Sequence, residues 1–200
     1  MKLFQAIEQR RAIKHFDPAA TMCEADFKQM MQAVLLSPTS YNIQHWRFIR
    51  ISDTQTRLKI KEAAWGQQQV EDASEVIILC ADTQAWSDRP ARYWANADHQ
   101  TQAVLVPMLD AFYTGKPQTQ RDEAMRSCGM AAQTLMLSAK ALGYDTCPMI
   151  GFDTQALADI IKLPEGHVIS MMITIGKASK PANQRGGQLP LSQVLMDNSY

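Results

Sequence analysis

SPTSYNIQHWRF, residues 37–48, carries hydroxyls at Ser37, Thr39 and Ser40 and amides at Asn42 and Gln44 within eight residues. It lies between a helical run, FKQMMQAVLL at 27–36, and a β-rich run, WRFIRI at 46–51, so the chain changes period here. Pro38 stops the helix, because the residue before a proline is pushed out of the α region. A loop so rich in donors and acceptors can hydrogen-bond a polar heterocycle along several edges. It can equally be an ordinary polar turn.

Working outward, residues 2–10 read as a short helix. Thr21-Met22-Cys23-Glu24 has the T-x-x-E form of a capping box, which predicts a helix starting there and running to about Leu36. Asp53-Thr54 opens a helix through Ala64. EVIILCA at 75–81 is a continuous apolar, β-branched run and reads as a buried strand. Residues 82–95 are irregular and aromatic, a loop or lid. A helix covers 97–113, GKPQTQ breaks it, and a long helix follows from about Asp122 to Leu142, closed by Gly143. DTCPMIGF reads as a strand ending in a turn, 154–162 as a short helix and HVISMMITIG at 167–176 as the last strand. KASKPANQRGGQLP is polar and rich in Gly and Pro, so it is extended, or held by something outside itself. Elements mix throughout with no compositional break, which predicts one domain over 1–200.

The 20 Lys+Arg balance 20 Asp+Glu, and this zero net charge argues against a nucleic-acid partner. No apolar run is long enough for a membrane span, and the N-terminus does not resemble a signal peptide. Cys23, Cys80, Cys128 and Cys147 form no CxxC pair. Cys80 and Cys128 fall in apolar runs and read as buried small hydrophobes, which fits a reducing cytoplasm. His15, His45, His99 and His167 lack ligand spacing, so no metal is expected. No GxGxxG, GxSxG or HExxH occurs, and a cofactor can supply the chemistry instead. The 122–142 helix is apolar around its whole circumference. Such a helix is either the interface of a homodimer or the central core helix of a monomer.

RRAIKHF at 10–16 gathers Arg10, Arg11 and Lys14 in a chain without cationic excess. These three can grip one anion, or simply answer the dipole at the end of a short helix. Taken with SPTSYNIQHWRFI at 37–49, EDASEVIILCA at 71–81 and ALGYDTCPMIGFD at 141–153, in this order and spacing, the chain resembles the FMN-dependent nitroreductase family over nearly its whole length.

That resemblance implies an α+β fold, with a mixed, mainly antiparallel sheet wrapped by helices, and an intertwined homodimer with FMN at the subunit interface. It implies ping-pong transfer of hydride from NADH or NADPH through flavin N5 to a nitroaromatic, quinone or similar small acceptor. The rival reading is an FMN-binding redox sensor or carrier without turnover. By the same resemblance Arg10 and Arg11 reach the phosphate, and Lys14 sits by the N1–C2=O edge, where a cation favours reduced flavin. Pro38, Thr39, Ser40 and Asn42 come from the partner subunit and line the ring and ribityl chain. Gln67 or Gln69 meets the pyrimidine end. Pro148, Met149, Ile150 and Gly151 pass beside N5, with the amides of Ile150 and Gly151 as donors. Arg185 in QRGGQLP is the tail's phosphate ligand. Phe112 and Tyr113 overhang the cleft as substrate aromatics, with Trp86, Tyr93 and Trp94 as rivals. Ala12 stands where relatives often carry serine, and Ile150 where some carry glutamate.

Overall fold

EVIILCAD, Glu75–Asp82 (β2), is buried at every position. The computed structural model, which describes residues 1–200, explains why. β2 is an inner strand covered on both faces, so it needs no polar alternation. Ile77, Leu79 and Ala81 face one apolar cluster, and Val76, Ile78 and Cys80 face another.

The sheet has four strands in the order β1-β2-β4-β3, where β1 is Trp46–Arg50, β3 is Asp145–Met149 and β4 is His167–Gly176. All three pairings are antiparallel, with Trp46 opposite Ala81, Glu75 opposite Ile175 and Asp145 opposite Gly176. The parallel element of the expected mixed sheet is a single bridge, Ala12 to Thr146, which lays the basic N-terminal segment along the outer edge of β3. One face carries α2 (Glu24–Val34) and α6 (Pro117–Ala141). The other carries α3 (Thr54–Ala63) and α7 (Thr154–Ile161). A third apolar cluster joins Ile43, Ala85, Tyr93, Leu109 and Tyr113, tying 3₁₀ turns at Ala85–Ser87 and Pro90–Trp94 to α5 (His99–Tyr113). No helix is long and apolar enough to cross a membrane.

Two helix starts differ from expectation. Thr21 does not cap α2; Cys23 does, its Sγ accepting from the amide of Asp26. Met22 is buried and its amide donates to Ser74 Oγ at 2.6 Å, which holds the chain extended past Thr21. Glu24 turns instead to Arg50. The break after Tyr113 is where it was expected, but α6 starts at Pro117 rather than near Asp122, at a position whose missing N–H would have no partner anyway.

Burial of α6 is also narrower than its composition implies. Ala124, Ser127, Cys128, Ala131, Ala132, Leu135, Met136 and Ala139 form one buried stripe, while Met130 is exposed and Leu137 half-buried. The chain covers one face of this helix by itself.

Gly176 ends β4 with no room for a side chain. A Cβ there would lie 2.9 Å from Phe16 Cδ1 and 3.2 Å from the amide nitrogen of Ser74. Gly176→Ala must therefore displace the buried Phe16 ring, and is expected to cost about 1–2 kcal/mol. An unchanged urea midpoint would show that the ring yields freely.

Candidate functional site

The segment after the first helix is fixed by its neighbours rather than by itself. Ile13 N–H donates to Thr146 O at 3.0 Å, and Asp17 N–H to Lys177 O at 2.8 Å. Ile13 and Phe16 are buried, so Arg10, Arg11 and Lys14 are left on the outer side of a short extended run. Arg185 returns from the tail to this point. Its Nη2 donates to the carbonyls of Glu8 at 2.8 Å and Arg10 at 3.3 Å, at the C-terminal end of α1 (Leu3–Gln9), while Arg11 donates to the carbonyl of Asn183. Arg10, Arg11 and Arg185 thus converge on one patch, although the last lies over 170 residues away in sequence. Lys14 leans toward Cys147 at the centre of β3: burial pushes the Cys147 thiol up, and the Lys14 ammonium opposes it.

At the end of β3 the backbone opens. Pro148 has no N–H, and the amides of Ile150 and Gly151 donate to nothing within the chain. Ile150 is 78 % exposed and Gly151 half-buried, so the turn that carries these two free donors lies at the surface. The turn that carries them is held by other bonds. Phe152 N–H donates to Ile150 O at 3.2 Å, and Gln67 Nε2 to Gly151 O at 2.7 Å. Gln69 in turn donates from Nε2 to Gln67 Oε1 at 2.8 Å, with Met149 Sδ at 3.8 Å. Gln67 is half-buried, whereas Gln69 is 5 % exposed and lies behind it.

The 37–44 loop is a strained, self-bonded turn. Tyr41, Asn42 and Gln44 all have positive φ. Asn42 Nδ2 donates to Tyr93 O at 2.8 Å, Gln44 N–H to Thr39 Oγ1 at 3.1 Å, and Tyr113 Oη to Ser40 Oγ at 2.8 Å. Backbone strain of this kind persists only where surrounding bonds over-determine it. Pro38 is exposed, and Thr39 and Ser40 half-buried.

These two groups of residues do not meet in one chain. The 37–44 loop enters β1, the opposite edge strand from β3, and three strand spacings separate those edges by about 14 Å. No hydrogen bond joins the loop to 10–14, 67–69, 148–151 or 185.

Tyr113 requires a correction. It has no accessible surface and its ring is boxed by Tyr41, Trp86 and Phe112, so it cannot present a face to a substrate. The preceding residue, Phe112, is 46 % exposed and remains available. Of the rivals, Tyr93 is buried and Trp86 and Trp94 are half-buried.

Comparison with known proteins bears on the chain as a whole. The model of the Nitroreductase family matches residues 7–177. The chain belongs to the nitroreductase family. Protein DrgA of Synechocystis sp. is 48 % identical over 200 residues, covering 98 % of this chain and 95 % of that protein. A Bacillus subtilis relative named "Putative NAD(P)H nitroreductase MhqN" is 32 % identical, with coverage of 94 % and 95 %. A protein of Exiguobacterium sibiricum solved in complex with FMN superposes with a TM-score of 0.89 at 25 % identity, over 99 % of this chain and 98 % of that one.

Trp65, which sequence reading did not single out, also lies beside the Ile150–Gly151 turn. It is 70 % exposed at φ 55°, and its Cζ3 lies 3.4 Å from where a Cβ of Gly151 would be. Its one signal is position, an aromatic between an alanine-rich helix end and a glycine. Asn183 was missed too, because it contributes only a backbone carbonyl.

Proposed function

We propose that the chain is an FMN-dependent oxidoreductase that draws electrons from NADH or NADPH and reduces a small acceptor of the nitroaromatic or quinone class. The observation that carries this is the unpartnered pair of amides at Ile150 and Gly151, on a turn at the surface. They stand on a turn braced by Gln67, next to a strand edge lined with Arg10, Arg11, Lys14 and Arg185. This set fits FMN: an anionic tail for the guanidinium groups, and a ring with acceptors along one edge for the amides. When bound, FMN supplies two-electron transfer at its N5 position.

The residues hold and orient. Arg10, Arg11 and Arg185 offer forked donors to the phosphate. Lys14 would place a positive charge by the ring, where it would favour the reduced form. Pro148 and Met149 would bring the turn to the ring, and the amides of Ile150 and Gly151 would donate to acceptors on its edge. The hydrophobic Ile150 side chain leaves the cleft mouth apolar. Phe112, which keeps an exposed ring, would stack on the acceptor. No side-chain acid or base is required, and donor and acceptor use the same cleft in turn.

Pro38, Thr39, Ser40 and Asn42 complete the site from a second copy. This is supported by their place on the opposite sheet edge and by apolar surface left open in one chain: Leu3, Phe4 and Ile7 on α1, Val104 and Met108 on α5, and Met130 on α6. On this reading 1–200 form one cytoplasmic FMN-binding domain that acts as a homodimer.

Purified protein should be yellow and should oxidise NADH or NADPH in steady state when menadione or nitrofurazone is added. Parallel initial-velocity lines are the expected sign of alternating substrates. A yellow protein that gives a flat trace with both nicotinamides would favour a carrier or sensor. A colourless monomer that takes up no added FMN would end the proposal.

A further inference from the structure

We infer that Gln69 is a positioning residue, locking Gln67 as a donor to the Gly151 carbonyl and so setting the turn that carries the free amides. The inference rests on the FMN reading above. A glutamine side chain can present either of two ends, an acceptor oxygen or an amine with two N–H groups. In isolation Gln67 has no reason to choose. Two neighbours choose for it. Gly151 O is an acceptor and demands the amine end, 2.7 Å away. Gln69 Nε2 is a donor and demands the oxygen end, 2.8 Å away. The two demands agree, so each bond strengthens the other.

Gln69 itself is well placed to be the fixed end of this chain. It is 5 % exposed and is the first residue of α4 (Gln69–Asp72), which continues to the buried Val70 and Ala73. Its amine end also meets Met149 Sδ, on the strand that leads into the turn. Gln69 thus touches the start of the 149–152 segment directly and its far side through Gln67. Once the amine end of Gln67 is assigned, one of its two N–H groups serves Gly151 and the second is left for a ligand. With FMN bound, that second N–H would be free to donate to a ring carbonyl, and the bond would be worth more as the ring gains charge on reduction.

Two substitutions separate this role from simple packing. Gln69→Met keeps the length and much of the volume, and removes the donor. Gln69→Glu keeps the shape but puts an acceptor against Gln67 Oε1. It drives the Gln67 amide to turn over and set its oxygen against Gly151 O. FMN dissociation constants should rise about tenfold for Gln69→Met, as for one lost buried hydrogen bond, and further for Gln69→Glu. Reduced FMN should lose about tenfold more affinity than oxidised FMN, which lowers the midpoint potential by about 30 mV for a two-electron couple. Because Gln69 acts through Gln67, adding Gln69→Met to Gln67→Met should change the dissociation constant less than about twofold, the non-additivity expected of one network.

If the Gln69→Met effect persists in full in the Gln67→Met background, Gln69 contacts the ligand itself and the inference falls. It also falls if wild type binds FMN and Gln69→Met matches it in affinity and potential, in which case the FMN reading survives. A wild-type protein that binds no FMN at all overturns both. Should Gln69→Glu fail to fold, the Gln69→Met series alone decides.

Discussion

Replacing Arg185 by alanine is expected to weaken FMN binding by about 1.5–3 kcal/mol, roughly 10- to 150-fold, the range for loss of a charge-assisted hydrogen bond. The geometry gives this residue two tasks. One guanidinium amine is spent on the carbonyls of Glu8 and Arg10, at the end of α1 where the helix dipole is negative. The rest of the planar fork is free beside Arg10 and Arg11. Loss of Arg185 therefore removes a cation and also releases the tail from the basic edge, so the effect should exceed that of removing an equally exposed charge elsewhere. Arg185→Lys keeps the charge but not the fork, and should fall between wild type and Arg185→Ala. The deficit should shrink as salt is raised, since the site is exposed and screened. Stability without FMN should hardly move, because the surrounding tail is exposed and carries little packing. Equal dissociation constants for wild type and Arg185→Ala, measured by flavin fluorescence at low salt, would remove Arg185 from the site.

How much of this was legible in the sequence follows from whether a signal is local. β2 announced itself, because its six inner residues, Val76 to Ala81, are buried on both faces of the sheet and are all apolar. Asp53 capped α3 as read, since its side chain accepts from Thr56 N–H three residues on. Thr21 failed for the opposite reason: a long-range bond, Met22 to Ser74, overrode a local capping pattern. Pro117 was legible only in part. A proline near a glycine marks an interruption, but sequence does not say whether the helix ends there or starts. The site divides the same way. Arg10, Arg11 and Lys14 form a run anyone can see. Gln67 and Gln69 could not be ranked, because what separates them is burial and the partner each one finds. Phe112 and Tyr113 are adjacent, so on a helix they point about 100° apart; only one can face a cleft while the other is packed, and the pattern does not say which.

Acid should destabilise the fold well before the carboxylates titrate, through His45. This imidazole has no accessible surface, its Nδ1 lies 3.1 Å from Ser127 Oγ on α6, and its Nε2 has no partner. Burial drives its pKa from 6.5 down to about 4; Glu123 and Asp82 oppose the shift and Arg47 adds to it. The folded state thus holds His45 neutral at pH values where the unfolded chain already binds a proton. With more protons bound in the unfolded state, stability rises with pH across this window. The contribution is complete above about pH 6.5 and is lost as pH falls toward about 4. At about 1.4 kcal/mol per pH unit it amounts to about 3 kcal/mol. His45 directly follows the 37–44 loop, and its carbonyl accepts from Asp82 N–H at 2.9 Å, so protonation loosens the segment that the proposed dimer sets over its partner's flavin. FMN release should follow the same window. Urea midpoints at pH 7.5 and 4.5 for wild type and His45→Gln isolate the term, since every other titrating group is common to both. The His45→Gln curve should be flatter by most of that difference. Parallel curves for the two proteins would show that the buried imidazole is not what acid attacks.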